Sequence, residues 1–289
     1  MHRADILADP RIAPRATPRP AAGDHPDALR LGMPHIGPDG LDEAWLLSEA
    51  THRHWIAVAR ACGTRPAGLR DREGARAYPA LVSWVYTGAS APFAEDDVAL
   101  LRHEVPPRAE GGWRSVLRIE AARGASARIE MASAFVRRDG PSNAALAAAE
   151  MDAAHAPPPM PELMPREARV LRGRARAMRE AATAQPPAPV LTVRVHAHDL
   201  DGAGLLPPAA LLRYVSAAEA AALEGPWRAP PVHRREAHAY GNVDPGDWLD
   251  LDCDLLATQD SPEPAAFSSI AVRRASDGAL IAACETVRC

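Results

Sequence analysis

Residues 202–206, Gly-Ala-Gly-Leu-Leu, lead into an alanine-rich run of helical period at 208–223 and then into short alternating segments. The same layout stands in the first half, with a weaker loop at 33–40, a helical run at 42–61 and strand-like stretches after it. A chain that writes glycine loop, one helix and several antiparallel strands twice reads as a duplicated unit, and a repeat of domain size limits the fold more than any single motif. Each loop also ends at a helix start, where backbone amides without intrahelical partners gather and can hold a carbonyl oxygen or an anion.

At 289 residues the chain is long enough for two cores of ordinary size. We divide it into a disordered leader (1–27), a first unit (28–138), a linker rich in proline, alanine and arginine (139–189) and a second unit (190–289). In the first unit, 29–35 reads as a short strand stopped by Pro38-Asp39-Gly40. Asp42 then stands where an N-cap belongs, Trp45, Leu47, Ala50, His54, Val58 and Ala61 follow at helical spacing, and Gly63 supplies the stop. Strands are expected at 78–86, 99–105, 113–121 and 127–137.

In the linker, Pro157-Pro158-Pro159 cannot lie inside a helix or central strand, and 166–182 reads as a helix on a solvated connector with its arginines in water. The clearest strand is 190–197, where Val190, Thr192, Arg194 and His196 share one face and Leu191, Val193, Val195 and Ala197 the other. Strands at 232–240, 265–274 and 279–287 are expected as well, the last two joined by Ser276-Asp277-Gly278. Between them, Leu249, Leu251, Cys253 and Leu255 alternate with Asp250, Asp252 and Asp254, as a half-buried antiparallel strand requires. Two antiparallel sheets, each wrapped around one helix, make an α+β chain of double hot-dog type. The repeated crossovers of a parallel doubly wound sheet are missing.

Composition narrows the partners. A formal charge of −4 is too mild to point to nucleic acid or a membrane surface, and the 33 basic residues are all arginine. Four cysteines without a CxxC pair fit reduced thiols rather than zinc or dithiol chemistry. The pairs His52/His54 and His196/His198 invite a metal reading, but residues two apart share a face only on a strand, and no metal is expected. Nothing approaches the ~18 apolar residues of a membrane span, and the leader lacks the apolar core of a signal peptide. A bacterial cytoplasmic location is the expectation.

Specific words carry a resemblance. They are Met33-Pro34-His35, Gly40-Leu41, Trp45-Leu46-Leu47, Arg53-His54-Trp55, Tyr78 with Ala80, and Phe135-Val136-Arg137-Arg138 in the first unit. In the second they are Asp201-Gly202-Ala203-Gly204-Leu205-Leu206, Tyr240-Gly241-Asn242, Asp244-Pro245-Gly246-Asp247 and Arg273-Arg274-Ala275-Ser276-Asp277-Gly278. From residue 28 onward the chain resembles the double hot-dog biosynthetic proteins of polyketide gene clusters, whose best-known member is the leinamycin-pathway bifunctional acyltransferase/decarboxylase. That resemblance implies acyl transfer from a coenzyme A thioester to an acyl carrier protein, with decarboxylation of a malonyl-type group. Coenzyme A enters as substrate, and no tightly bound cofactor is implied.

The resemblance also assigns roles. The family's Tyr-x-Ala-Phe strand word reads Tyr78-Pro79-Ala80-Leu81 here, so Tyr78 inherits contact with the acyl group or a hydrogen bond to the thioester. Its expected test is Tyr78→Phe, lowering turnover about tenfold or more. Loss of carbon dioxide leaves an enolate, for which Gly40, Gly202 and Gly204 would present backbone donors at the helix starts. Asp201 is a candidate base or water-orienting group and Asn242 a candidate ligand contact, each with a bland reading as a loop-holding residue beside it. The chain departs from the family in having Asp201-Gly202 for Asn-Gly, Pro207-Pro208 for aromatic residues, and Ala44 and Ala210 for asparagines.

The leading expectation is therefore an acyl-thioester enzyme of a bacterial secondary-metabolite pathway, working where the two units meet, as a monomer or homodimer. Thioesterase or dehydratase is the near alternative: an acidic base facing the thioester favours hydrolysis, and a closed pocket without one favours transfer or decarboxylation. The contrasting alternative is a catalytically silent scaffold that binds a carrier protein.

Overall fold

The computed structural model describes residues 27–37, 40–88, 91–105, 112–151, 166–184, 188–223, 230–258 and 265–289. The leader, the Pro38-Asp39 turn and the proline run at 157–159 lie outside these residues. The first half runs β1 (Ala28–Arg30), β2 (Ile36–Gly37), β3 (Gly40–Leu41), α1 (Glu43–Ala61), β4 (Tyr78–Thr87), β5 (Val98–Glu104), β6 (Trp113–Ala121), β7 (Ser126–Arg138) and β8 (Leu146–Ala148). Then come α2 (Arg166–Ala184), β9 (Pro189–Arg194), α3 (Pro208–Ala222), β10 (Val232–Ala239), β11 (Trp248–Thr258), β12 (Ala265–Arg274) and β13 (Leu280–Arg288).

One sheet crosses the whole molecule in the order β1-β5-β6-β7-β4-β10-β13-β12-β11-β9, with β8 beside β7. Its pairings are antiparallel throughout. The halves join where β4 meets β10, in a register that sets Trp84 opposite Ala237 and Tyr86 opposite Arg235. On one face α1 packs on β4, β6 and β7, α3 packs on β9, β11 and β12, and the two helices touch.

Alternation explains the packing. Inward residues of β6 and β7 such as Leu117, Ile119, Ile129 and Met131, and Leu249, Leu251, Ile270 and Val272 of the other half, join Leu46, Leu47, Leu211, Leu212 and Val215 of the helices in a single core. A buried leucine or isoleucine contributes roughly 1.5–3 kcal/mol, so this shared core holds the halves together more firmly than any ion pair could.

Three expectations need correction. The strand read at 29–35 is only β1, followed by a 3-10 turn at Met33–His35 that Pro34 favours by its fixed φ and that His35 Nδ1 closes by accepting the Gly32 N–H at 2.8 Å. The strand at 190–197 stops at Arg194, and residues 197–199 form a 3-10 turn held by Asp199, whose side chain accepts the His196 N–H at 2.8 Å. Nor is the helix of the linker merely solvated. Met178 and Ala182 of α2 are buried against Ala271 and Ala283, so α2 covers the outer face of the second half's sheet. Its alanine and methionine stripe was masked by the density of arginines around it.

Candidate functional site

Each half presents a helix start to the other, and the two starts differ. At the start of α1, Asp42 caps the helix by accepting the Trp45 N–H at 2.8 Å, and the Asp42 carbonyl takes the Leu46 N–H. The Glu43 and Ala44 amides make no hydrogen bond among the described residues. Gly40, at φ +112, makes the turn that delivers the chain to this cap.

Glu43, the first helical residue, reaches the other half. Its Oε2 accepts from Nη1 of Arg235 on β10, a side chain 98 % removed from solvent. Arg235 also donates through Nη2 to Glu219 of α3 at 2.8 Å and through Nε to the Thr286 hydroxyl at 2.9 Å. Glu219 is held further by Arg288 at 2.8 Å and by the Ser268 hydroxyl at 2.7 Å. Two carboxylates and two guanidiniums thus meet in a charge-balanced cluster under the sheet.

The two acids are not equivalent. Burial, only partly offset by Arg235, raises the Glu43 carboxyl above the usual carboxylate range, with Glu219 adding to the rise. Burial pushes on Glu219 too, but Arg235 and Arg288 outweigh it and hold that carboxyl down. Glu43 Oε1 is buried and makes no hydrogen bond among the described residues. A carboxyl with a raised pKa and one unengaged oxygen, beside open amides at a helix start, can take a proton from water while those amides receive negative charge.

The start of α3 is built differently. Pro207 and Pro208, the N-cap and first helical residue, bring no N–H groups, and the Ala210 and Leu211 amides both turn back to the Pro207 carbonyl. Asp201 Oδ1 accepts the Ala203 N–H at 2.8 Å and the Leu205 N–H at 3.0 Å, closing an Asx turn around Gly202. Asn242 accepts the Leu206 and Val243 N–H groups at 3.0 and 2.9 Å. Gly204, at φ +72, gives its carbonyl to Asn143 Nδ2 at 2.6 Å.

Tyr78 opens β4 on this side. Arg76 lies over its ring at 5.4 Å and Arg138 at 6.0 Å. Arg138 in turn donates to the Ala203 carbonyl, and through Nε to Asn143 Oδ1 at 3.1 Å. The structure therefore gathers Tyr78, Asp201, Gly202, Gly204 and Asn242 around one Arg138–Asn143 junction, and leaves Gly40 at the other helix start. Glu43, Arg235 and Glu219 escape a sequence reading. Beside an N-cap aspartate, Glu43 looks like an ordinary dipole-stabilising acid, and Arg235 is 192 residues away. An arginine inside a strand at an inward position is the one sequence signal that could have flagged the cluster.

Among the described residues no group of three His, Cys, Asp or Glu side chains could hold a metal, and His196 and His198 simply stack at 5.3 Å. Nor is any helix there long and apolar enough to cross a membrane.

Comparison with solved structures sets this architecture among known ones. A Lactobacillus plantarum protein provisionally described as an oleoyl thioesterase superposes with a TM-score of 0.62 at 9 % identity over 90 % of this chain and 92 % of its own. The 12:0-ACP thioesterase of Umbellularia californica follows at 0.54 and 10 % over 90 % and 91 %, and an acyl-ACP thioesterase of Bacteroides thetaiotaomicron at 0.51 and 13 % over 90 % and 95 %. This chain has the hot-dog fold. At such identities the likeness is one of fold. No protein-family profile and no curated protein matches the sequence.

Proposed function

We propose that this protein is an acyl-thioester enzyme and that its reaction is thioester hydrolysis at the start of α1. The observation that carries this reading is the buried, unengaged Oε1 of Glu43, on a carboxyl whose pKa is raised, at a helix start with open amides. Water placed between Oε1 and the thioester carbonyl loses a proton to Glu43 as its oxygen bonds to the carbonyl carbon. The oxyanion forms against the first-turn amides, and collapse expels the thiolate, which takes the proton back from Glu43. Arg235 orients the carboxyl from the other half, so the site exists only where the halves meet. Solved proteins of the same fold named as acyl-ACP thioesterases make acyl-CoA and acyl carrier protein thioesters the first substrates to try.

The test is incubation with a panel of acyl-CoA and acyl carrier protein substrates, reading free thiol and intact mass. Glu43→Gln is expected to lower thiol release by about 10²–10⁴-fold while the protein stays folded. Wild-type protein that binds these thioesters without turning any over would remove hydrolysis and favour the scaffold. A mass gain on the carrier, or loss of carbon dioxide from a malonyl group, would instead support the transfer and decarboxylation implied by the polyketide-cluster resemblance. One observation favours a second reading, with Tyr78 at the centre: its ring lies beside Arg138, which binds the glycine loop of α3 across the seam.

A further inference from the structure

On the outer face of the second half, α2 does not sit flush. Between its last turns, the loop after β10 and the turn joining β12 to β13 lies a groove of about 390 Å³. Tyr240, Leu280 and Ile281 line it together with Arg179, Arg273 and Arg274. No aspartate or glutamate is among the lining residues.

The three guanidiniums are differently engaged. Arg273 gives Nε to Asp252 at 3.0 Å and Nη2 to the Ala182 carbonyl, which caps the negative end of α2. Arg274 is held by Asp277 at 3.0 and 2.6 Å. Arg179 is exposed and stacks over the Tyr240 ring at 5.5 Å, with no carboxylate partner among the described residues. The Tyr240 hydroxyl is already committed to the Ala175 carbonyl at 2.7 Å, which fixes the ring as a platform.

We propose that this groove binds a phosphorylated small molecule, with Arg179 pairing the phosphate and the apolar body of the ligand lying on Tyr240, Leu280 and Ile281. A planar guanidinium fork matches phosphate oxygens two at a time, and Arg179 alone of the three has no carboxylate partner among the described residues, Arg273 and Arg274 being neutralised by Asp252 and Asp277. The volume is of the order that small-ligand sites occupy. The groove stands apart from the Glu43 cluster, so this assignment does not depend on the hydrolytic reading.

Calorimetric titration of the full-length protein with pyrophosphate, AMP and adenosine tests it. Pyrophosphate and AMP should bind, adenosine should bind at least about tenfold more weakly than AMP, and Arg179→Ala should weaken AMP by a similar factor. Arg179→Lys should recover part of the loss, and circular dichroism should show all variants folded. Failure of both phosphates to bind at millimolar concentration, or AMP affinity unchanged in Arg179→Glu, overturns the proposal. Competition locates the source of the phosphate. If coenzyme A displaces AMP, and Arg179→Ala raises KM for an acyl-CoA but not for the phosphate-free acyl-N-acetylcysteamine, the groove holds the carrier end of the thioester. If coenzyme A and AMP bind together, the groove serves a separate phosphorylated ligand.

Discussion

The starts of α1 and α3 hold equivalent places in a repeated layout, yet one carries a buried charge cluster while the other is tied down by prolines and loop hydrogen bonds. At α1 Asp42 takes the Trp45 and Leu46 amides, the Glu43 and Ala44 amides make no hydrogen bond among the described residues, and Glu43 keeps one side-chain oxygen without a partner there. At α3 two prolines remove two donors, and Asp201 and Asn242 accept the Ala203, Leu205 and Leu206 amides of the loop before it. The repeated layout supplies two helix starts, and the sequence around each decides how its amides and side chains are bonded. A closed start gains local stability, because each buried amide left unpaired would cost about 1–3 kcal/mol.

The largest effect that would sharpen this contrast lies in the cluster itself. Glu219→Ala leaves Arg235 and Arg288 facing each other beside Glu43 and is expected to cost about 3–5 kcal/mol in urea unfolding. A loss below about 1 kcal/mol would mean that the cluster is hydrated rather than buried.

Next is pH. In the first half, His54 of α1 sits between the hydroxyls of Ser115 and Ser133 at 2.8 and 2.7 Å, and burial, with His103 nearby, lowers its pKa from 6.5 to about 4. A group whose folded pKa is depressed contributes stability that is complete above its unfolded value and is lost as pH falls toward the folded one. His54 should therefore cost the fold about 3 kcal/mol between about pH 6.5 and 4. Glu219 in α3, also depressed, gives up its contribution only below the ordinary carboxylate value of 4.5. Urea midpoints measured across this range should decline first through His54, and His54→Gln should flatten the decline above about pH 5. An identical slope in that variant would remove His54 as the cause.

A smaller effect is expected at the closed start. Asn242→Ala strips the acceptor from the Leu206 and Val243 amides and should lower stability by about 1–2 kcal/mol, with little change in turnover. Smallest of all should be Tyr78→Phe, which under the Glu43 reading changes thioester turnover less than about threefold, whereas a fall of about tenfold or more would move the chemistry to α3.

Much of the fold was legible because it rests on local periodicity. The strand through 249–255 and the helix at 42–61 follow from alternation and from an aspartate cap, and Gly63 at φ +68 ends α1 where a left-handed residue is needed. Sequence alternation could not show that β9 would be a sheet edge or that α2 would dock, since both depend on surfaces built by residues far along the chain. The site was less legible for the same reason. Tyr78, Asp201 and Asn242 could be singled out from local words, but the Glu43–Arg235 contact is defined only once β10 has paired with β4.

That pairing has a consequence for how the gene could be divided. Both β4 and β10 are interior strands, so cutting the chain between the halves would strip each of a full ladder of hydrogen bonds and bare Trp84 to water. Two shorter polypeptides made from the severed gene would be sticky orphans, and would be expected to stay soluble only when synthesised together and reunited along that one zipper.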